Sequence, residues 1–406
     1  MHQITMAGMD QPLPPPVSRG APLDWLDDAL AELDRQSLRR RLTVRTSPQR
    51  GDEIRVDGQR LANFGSNDYL GLASDKAVVS AAQEALDTHG FGSGASPLIT
   101  GRGVWHQRLE RELAAFEGTE SALLFPSGYA ANMGTIAALV GKADAIFSDE
   151  LNHASIIDGC RLSGAAVHIY RHGDASHLAS LLAAAAAERR KLIVTDTLFS
   201  MAGDFAPLRE IGELAGRHQA MLMVDEAHAT GVFGNLGRGA GEHFGIEHDV
   251  HVRVGTLSKA LGCSGGFVAG SQKLIDWLAN RARSYFFSTA APEINAAAAL
   301  AALRIVKNEP RRRVELLSRS AALRARLKGA GLDVGDSESQ IIPVIVGSPE
   351  RALAVAAELR HRGYLVPAIR PPSVPEGQSL LRISVTWRHL PQELEDLASA
   401  LIAVAG

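Results

Sequence analysis

The sequence predicts an α/β protein: a mainly parallel sheet covered by helices on both faces, with a smaller α+β C-terminal domain and an N-terminal helical arm. Three observations carry this. From about residue 75 to 290, helical segments alternate with short apolar runs: SALLFP (121–126), DAIFSD (144–149), LIVTDT (192–197), AMLMVDEAH (220–228) and GGFVAGS (265–271). Wholly apolar strands spaced by amphipathic helices are buried on both faces, as parallel strands are. Glycine is abundant at 39 of 406 residues and aromatics are scarce at 5%, which suits tight α/β connections better than a β-sandwich. A chain 46% hydrophobic can also bury a large core.

In chain order, residues 1–20 read as a mobile tail. The first eighteen contain no Lys or Arg and run through Pro12, Pro14, Pro15 and Pro16, which argues against a secretory leader. Leu23, Leu26, Leu30, Leu33 and Leu38 recur at helical steps and predict a helix over 23–42. A short β arm follows, turning at Val56-Asp57-Gly58. These pieces make an N-terminal region of 1–62, ahead of a large α/β domain over 63–290. A third region, 291–406, opens with an alanine-rich helix toward Arg304. It continues with QIIPVIVG, a helix from Glu350 to His361, YLVPAIRPP, LLRISVTW and a closing helix from Pro391.

Several classes are excluded. Net charge is −3 with interspersed signs, so there is no nucleic-acid or membrane footprint, and Arg39-Arg40-Arg41 and Arg311-Arg312-Arg313 read as solvated helix faces. Two cysteines, Cys160 and Cys263, form no disulfide framework and fit a cytoplasmic setting. The alanine-rich stretches are shorter than the ~18–20 residues of a membrane span. There is no HExxH and no Cys/His cluster at metal spacing. The DEAH of 225–228 is not a helicase motif, because no GxxxxGK[ST] loop exists.

In an open α/β sheet, ligands gather at the carboxyl ends of strands. Asp225 ends one apolar strand and is followed by Glu226 and His228. It suits either a helix N-cap or a carboxylate facing a pyridine nitrogen. Lys259, in VGTLSKALGCSGG, lies between hydroxyl and small residues; it is either a surface loop lysine or a Schiff-base amine, with Thr256 and Ser258 able to donate to a phosphate. GCSGG also matches a nucleophile elbow at Ser264, but its glycines lead into a strand where an elbow needs a helix. Ser127-Gly128 opens a helix after a strand, leaving free N–H groups for a phosphate and Tyr129 beside a ring, or else an ordinary βα turn. Asn67 lies in SNDYLGL, His153 and Ser200 follow strand ends, and Arg370 is stiffened by two prolines for carboxylate recognition. The glycine-rich segment 90–103 reads as a flexible loop; it matches a loose GxGxxA dinucleotide pattern, but the apolar strand that such a site needs does not precede it.

Together SNDYLGL, GSGAS, SGYAAN, NHAS, FSMAGD, VDEAH-TG and T-x-S-K resemble, in order and spacing, the α-oxoamine synthases, from about residue 25 to the C-terminus. The resemblance implies the PLP-dependent transferase fold type I, with a seven-stranded sheet. It implies pyridoxal 5′-phosphate (PLP) on Lys259 as a Schiff base and Asp225 against the pyridinium nitrogen. His228 and Ser200 would serve the phenolic oxygen, His153 would stack on the ring, and Gly128, Tyr129 and Thr256 would hold the phosphate side. Arg370 would grip an amino-acid carboxylate with Asn67 near it, while Arg39 and Ser373 would meet the acyl substrate. Lys259, His153 and Asp225 would be the catalytic set. AIRPPSVP followed by LLRISV resembles the biotin-pathway branch, which implies condensation of L-alanine with pimeloyl-CoA or a pimeloyl-carrier protein and loss of CO2. Sibling branches use glycine or serine with another acyl-CoA. A homodimer with its site at the interface is implied, with loop 90–101 and the N-terminal arm able to reach across. The sequence departs from the pattern at Asp196, where a glutamate is expected, at Ser258 and Ala260, where glycine is common, and at Ser373, where threonine is expected.

Overall fold

The computed structural model describes residues 21–406, which fall into two compact units divided between Leu42 and Thr43. The proline-rich stretch 1–20 lies outside the described residues.

In the first unit a 3-10 turn, Ala21–Leu23, leads into α1, Trp25–Arg35. This helix is shorter than the predicted 23–42, and Leu38 lies beyond its end. Ser37 takes a positive φ of 55°, which stops helix propagation. Arg39 and Arg41 then turn back onto Asp34, at 2.6 and 3.3 Å.

The second unit begins with a hairpin of β1, Glu53–Val56, and β2, Gln59–Asn63. Asp57 and Gly58 both have positive φ, 49° and 77°, as a two-residue type I′ turn requires. Two helices follow, α2, Lys76–His89, and α3, Val104–Glu117. The glycine-rich segment between them is not wholly irregular: Pro97–Gly101 form a π turn. The alternating region is β3 (Ser121–Phe125), α4 (Gly128–Leu139), β4 (Ala145–Asp149), α5 (Ala154–Ser163), β5 (Ala166–Tyr170), α6 (Ala175–Ala184) and β6 (Lys191–Asp196). It continues through α7 (Leu208–Arg217), β7 (Met221–Asp225), α8 (Ala240–Phe244), β8 (Val252–Thr256), β9 (Gly266–Gly270), α9 (Gln272–Arg281) and α10 (Arg283–Phe286).

Seven of these strands form one sheet in the order β3-β9-β8-β7-β6-β4-β5, parallel except for β9, which runs antiparallel to both neighbours. Side chains of period two divide between two separate apolar clusters: Phe147, Ile193, Leu222 and Val224 enter one, and Ile146, Leu192, Val194 and Met223 the other. This is the double-sided burial that the apolar runs predict. The apolar-run pattern passes over β5, because this edge strand is largely exposed and carries His168.

The chain then forms α11, Glu293–Asn308, α12, Arg311–Gly329, β10, Ile341–Gly347, and α13, Pro349–His361. Two-residue strands β11, Tyr364–Leu365, and β12, Ala368–Ile369, precede β13, Ser379–Ser384, and α14, Pro391–Ala405. A three-stranded antiparallel sheet, β10-β13-β12, carries this part, and β11 adds parallel to β2. One apolar cluster runs from Phe64 to Leu401.

Arg311-Arg312-Arg313 is not a solvated face. Arg312 is buried with its guanidinium on Leu70 O and Asp75, 4.5 Å over the Trp387 ring. Arg313 is buried on the carbonyls of Val306 and Asn235. Long stems that satisfy buried carbonyls cannot be told from solvated ones by local sequence. No helix among the described residues is long and apolar enough to cross a membrane.

Candidate active site

Asp149, Asp196, Asp225 and Thr256 occupy the last positions of β4, β6, β7 and β8, adjacent strands of the large sheet. Asp196 and Asp225 are direct register partners. Parallel strands thus align four polar ends at one edge, and the loops beyond them build a cleft.

Asp225 is buried, and each of its oxygens has a fixed donor. Asn132 Nδ2 donates to Oδ2 at 2.6 Å and Ala227 N to Oδ1 at 2.8 Å. Beside it, Asp196 accepts the His153 backbone N–H at 2.7 Å. Burial, then the neighbouring Asp225 charge, push Asp196 well above the usual carboxylate range.

Lys259 sits in the turn between β8 and β9. Burial lowers its amine to about 8, against the opposing pull of Asp225 and Asp196, and Arg382 adds to the lowering. His228 is buried, with Nδ1 2.7 Å from the Tyr69 hydroxyl, which also lies 3.1 Å from Asn67 Oδ1. Burial and then Lys259 hold His228 well below the ordinary histidine range. His153 caps α5 at the open rim, edge-on to the Tyr129 ring at 6.4 Å. Partial desolvation lowers its pKa, with Asp225 opposing and Lys259 contributing.

The far end of the cleft is the start of α4. Ser127 caps this helix through Ala130 N, and a Cβ on Gly128 would lie 3.5 Å from Thr256. A side chain on Gly266 would stand 2.5 Å from Gly128 N, so β9 passes here only as glycine. Thr256 Oγ1 donates to Gly265 O at 3.0 Å and lies 2.8 Å from Ser258 Oγ. Tyr129 is 41% exposed and donates to Asp158.

The structure therefore gathers Asn67, His153, Asp225, His228 and Lys259 about one centre, and brings Gly128 and Thr256 together at one end. Ser200 joins them through a residue that sequence reasoning missed. Arg382, buried in β13, donates from Nε to Ser200 O at 2.5 Å and from Nη1 to Asn67 Oδ1 at 3.2 Å. Its signal is an arginine inside a strand whose six residues are all buried. Tyr69, read from SNDYLGL only as part of a tight polar turn with Asn67, places its hydroxyl on His228; Asn132 was missed, although it lies within a quoted motif. Arg370 is buried just past β12, where its carbonyl accepts the N–H of the exposed Ser373. Arg39 belongs to the first unit, paired with Asp34.

The turn that carries Ser200 is anchored by His172, whose Nδ1 is 3.0 Å from Asp149 and whose Nε2 is 2.8 Å from Asp204. Burial opposes charge on this ring, but the two carboxylates outweigh it and raise His172 from 6.5 to about 10. A raised folded pKa means the stabilisation is complete below about pH 6.5 and is lost as pH climbs through about 10. His172→Ala is expected to cost about 2 kcal/mol near pH 6.5, the worth of hydrogen bonds to a charged group, because it leaves the buried Asp149 only the backbone N–H groups of Leu151 and Gly173. Denaturant unfolding of both proteins at several pH values measures this; a gap that fails to narrow toward pH 10 rejects the imidazolium bridge.

Residues 59–401 match the model of the family described as aminotransferase class I and II. The chain belongs to that family. It is 52% identical over 388 residues to the 8-amino-7-oxononanoate synthase of Anaeromyxobacter dehalogenans (strain 2CP-1 / ATCC BAA-258), a match covering 96% of this chain and 97% of that protein. Among solved structures it is similar to serine palmitoyltransferase from S. paucimobilis with bound PLP, at 32% identity and TM-score 0.90, covering 94% of this chain and 97% of that one. It is also similar to 8-amino-7-oxononanoate synthase from Francisella tularensis, at 28% identity and TM-score 0.74, covering 84% and 97%. These matches bear out the α-oxoamine synthase resemblance and the fold-type-I expectation.

Proposed function

We propose that this chain joins L-alanine to a pimeloyl thioester, pimeloyl-CoA or pimeloyl-carrier protein, giving 8-amino-7-oxononanoate, CO2 and the free thiol, with pyridoxal 5′-phosphate as cofactor. The observation that carries the reading is Lys259, an amine lowered to about 8, beside an Asp225 carboxylate whose two oxygens are each pinned by a donor. The residues fit the cofactor: an amine for its aldehyde, a buried carboxylate for its ring nitrogen, and a glycine-lined helix start for its phosphate.

When bound, the cofactor supplies a ring that accepts the electrons released at the alanine α-carbon. Lys259 would hold its aldehyde carbon, and its amine would take the Cα proton of alanine and later return it. Asp225 would keep the ring nitrogen protonated, without which the ring would be a poor electron acceptor. His228 and Ser200 would serve the ring oxygen, and His153 would lie against the ring. Arg382 and Arg370, with Asn67, hold the alanine carboxylate. The alanine α-carbon bonds to the thioester carbonyl, the thiolate leaves and takes a proton, and the carboxylate, now β to a ketone, departs as CO2. Arg39 and Ser373 are assigned to the acyl end. A cytoplasmic homodimer is part of the proposal, and the exposed Phe91, Leu98 and Ile99 on the 90–101 loop suit a subunit contact.

Arg370→Ala and Arg382→Ala are each expected to raise the alanine KM about tenfold or more, the worth of a charge-assisted hydrogen bond. Steady-state kinetics test this, and an unaltered KM removes that arginine from the carboxylate role. Function itself is tested by incubating purified protein with PLP, L-alanine and each pimeloyl thioester and weighing the product. Condensation seen only with glycine or serine transfers the chain to a sibling activity, and none with any amino acid overturns the proposal.

A further inference from the structure

We propose that Asn132 is the positioning residue of the cleft: its amide nitrogen fixes the Asp225 carboxylate and, through Ser155 Oγ, directs a second donor onto Nδ1 of His153, whose ring proton lies on Nε2. The inference rests on the proposed function, in which Asp225 and His153 face the cofactor.

Asn132 lies in the second turn of α4 and is 1% exposed. Its Nδ2 is 2.6 Å from Asp225 Oδ2 and 2.9 Å from Ser155 Oγ. An amide nitrogen has two hydrogens, so both are used. Turning the amide over would set Oδ1 against the carboxylate, so the network permits one orientation. With Ala227 N on the other oxygen, the Asp225 carboxylate cannot rotate about its bond without losing a donor.

The second arm carries direction. His153 Nδ1 is 2.7 Å from Ser155 Oγ and 3.2 Å from Ser155 N. A backbone N–H can only donate, so Nδ1 must present a lone pair. Ser155 Oγ accepts from Asn132 and turns its own hydrogen to the same lone pair. Every bond in the sequence amide, hydroxyl, imidazole therefore donates away from Asn132, and the ring hydrogen is left on Nε2. The lowered pKa of His153 agrees with a neutral ring. Ser155 is fully buried, so no water competes for this path.

Asn132→Ala, Asn132→Asp and Ser155→Ala holoenzymes test the assignment, by PLP titration and by 15N spectra of labelled histidine. Asn132→Ala is expected to raise the PLP Kd about tenfold or more, for the lost charge-assisted bond. Asn132→Asp should be worse than alanine, because its carboxylate would face the Asp225 oxygen to which the amide now donates. A merely space-filling asparagine predicts the reverse order, since aspartate has the same shape. In Ser155→Ala and Asn132→Ala the His153 Nδ1 signal should shift as its hydroxyl donor is lost or turned away, while the ring proton stays on Nε2 because the Ser155 N–H still donates to Nδ1. Wild-type protein that takes up no PLP overturns the proposed function and this inference together. Wild-type uptake with aspartate milder than alanine, or with His153 unchanged in both variants, overturns this inference alone.

Discussion

Lys259→Ala protein incubated with excess PLP is expected to show no visible absorbance from a lysine-linked cofactor and to lose turnover by at least about 10⁴-fold, the upper range for one acid–base group. The effect is large because one amine has two duties, covalent attachment and proton transfer. Arginine cannot substitute, since a guanidinium does not deprotonate in proteins. The amine's value of about 8 follows from burial only partly offset by Asp225 and Asp196. PLP uptake by wild-type apoprotein should consequently quicken as pH rises through about 8. Absorbance spectra and product mass check the variant; retention of both colour and turnover would refute the assignment.

Asp225→Ala is expected to retain part of its PLP binding and to lose about 10³-fold in turnover, as for removal of a preorganised electrostatic partner. Its charge alone sits in register beside a neighbour disfavoured from ionising: Asp196 is raised by burial and then by Asp225 itself. Removing Asp225 eases ionisation of Asp196, but Asp196 is tied to the His153 backbone N–H and stays on its own strand. It should not rescue activity. Single-turnover kinetics with alanine would decide, and a rate equal to the wild type would strip Asp225 of its role.

Much of the cleft was legible one strand at a time. Asp196 and Asp225 each stand where an apolar run ends, and a polar group there announces itself against its neighbours, while Lys259 stands out in the glycine-rich turn after β8. Arg382 was legible only as an oddity, a cation within LLRISV, because its partners Ser200 and Asn67 are 182 and 315 positions away. Tyr69 meets His228 across 159 positions. Asn132 looked like any residue of an apolar helix, and Arg312 and Arg313 like any basic turn. The end of α1 at Arg35 escaped periodicity because leucine spacing says nothing about the backbone at Ser37.

The sequence by itself determined the strands of the large sheet apart from the exposed β5, their two-faced burial, the hairpin turn at Val56-Asp57-Gly58, the aspartate at a strand end and the lysine in the turn after the next strand. These follow from local sterics and side-chain periodicity, which act over a few residues. Only the tertiary structure decided which donors hold Asp225, which guanidinium enters the cleft and which nitrogen of His153 is a lone pair. Those depend on distances between segments far apart in the chain, and a hydrogen bond made or missed by one ångström leaves no trace in residue order.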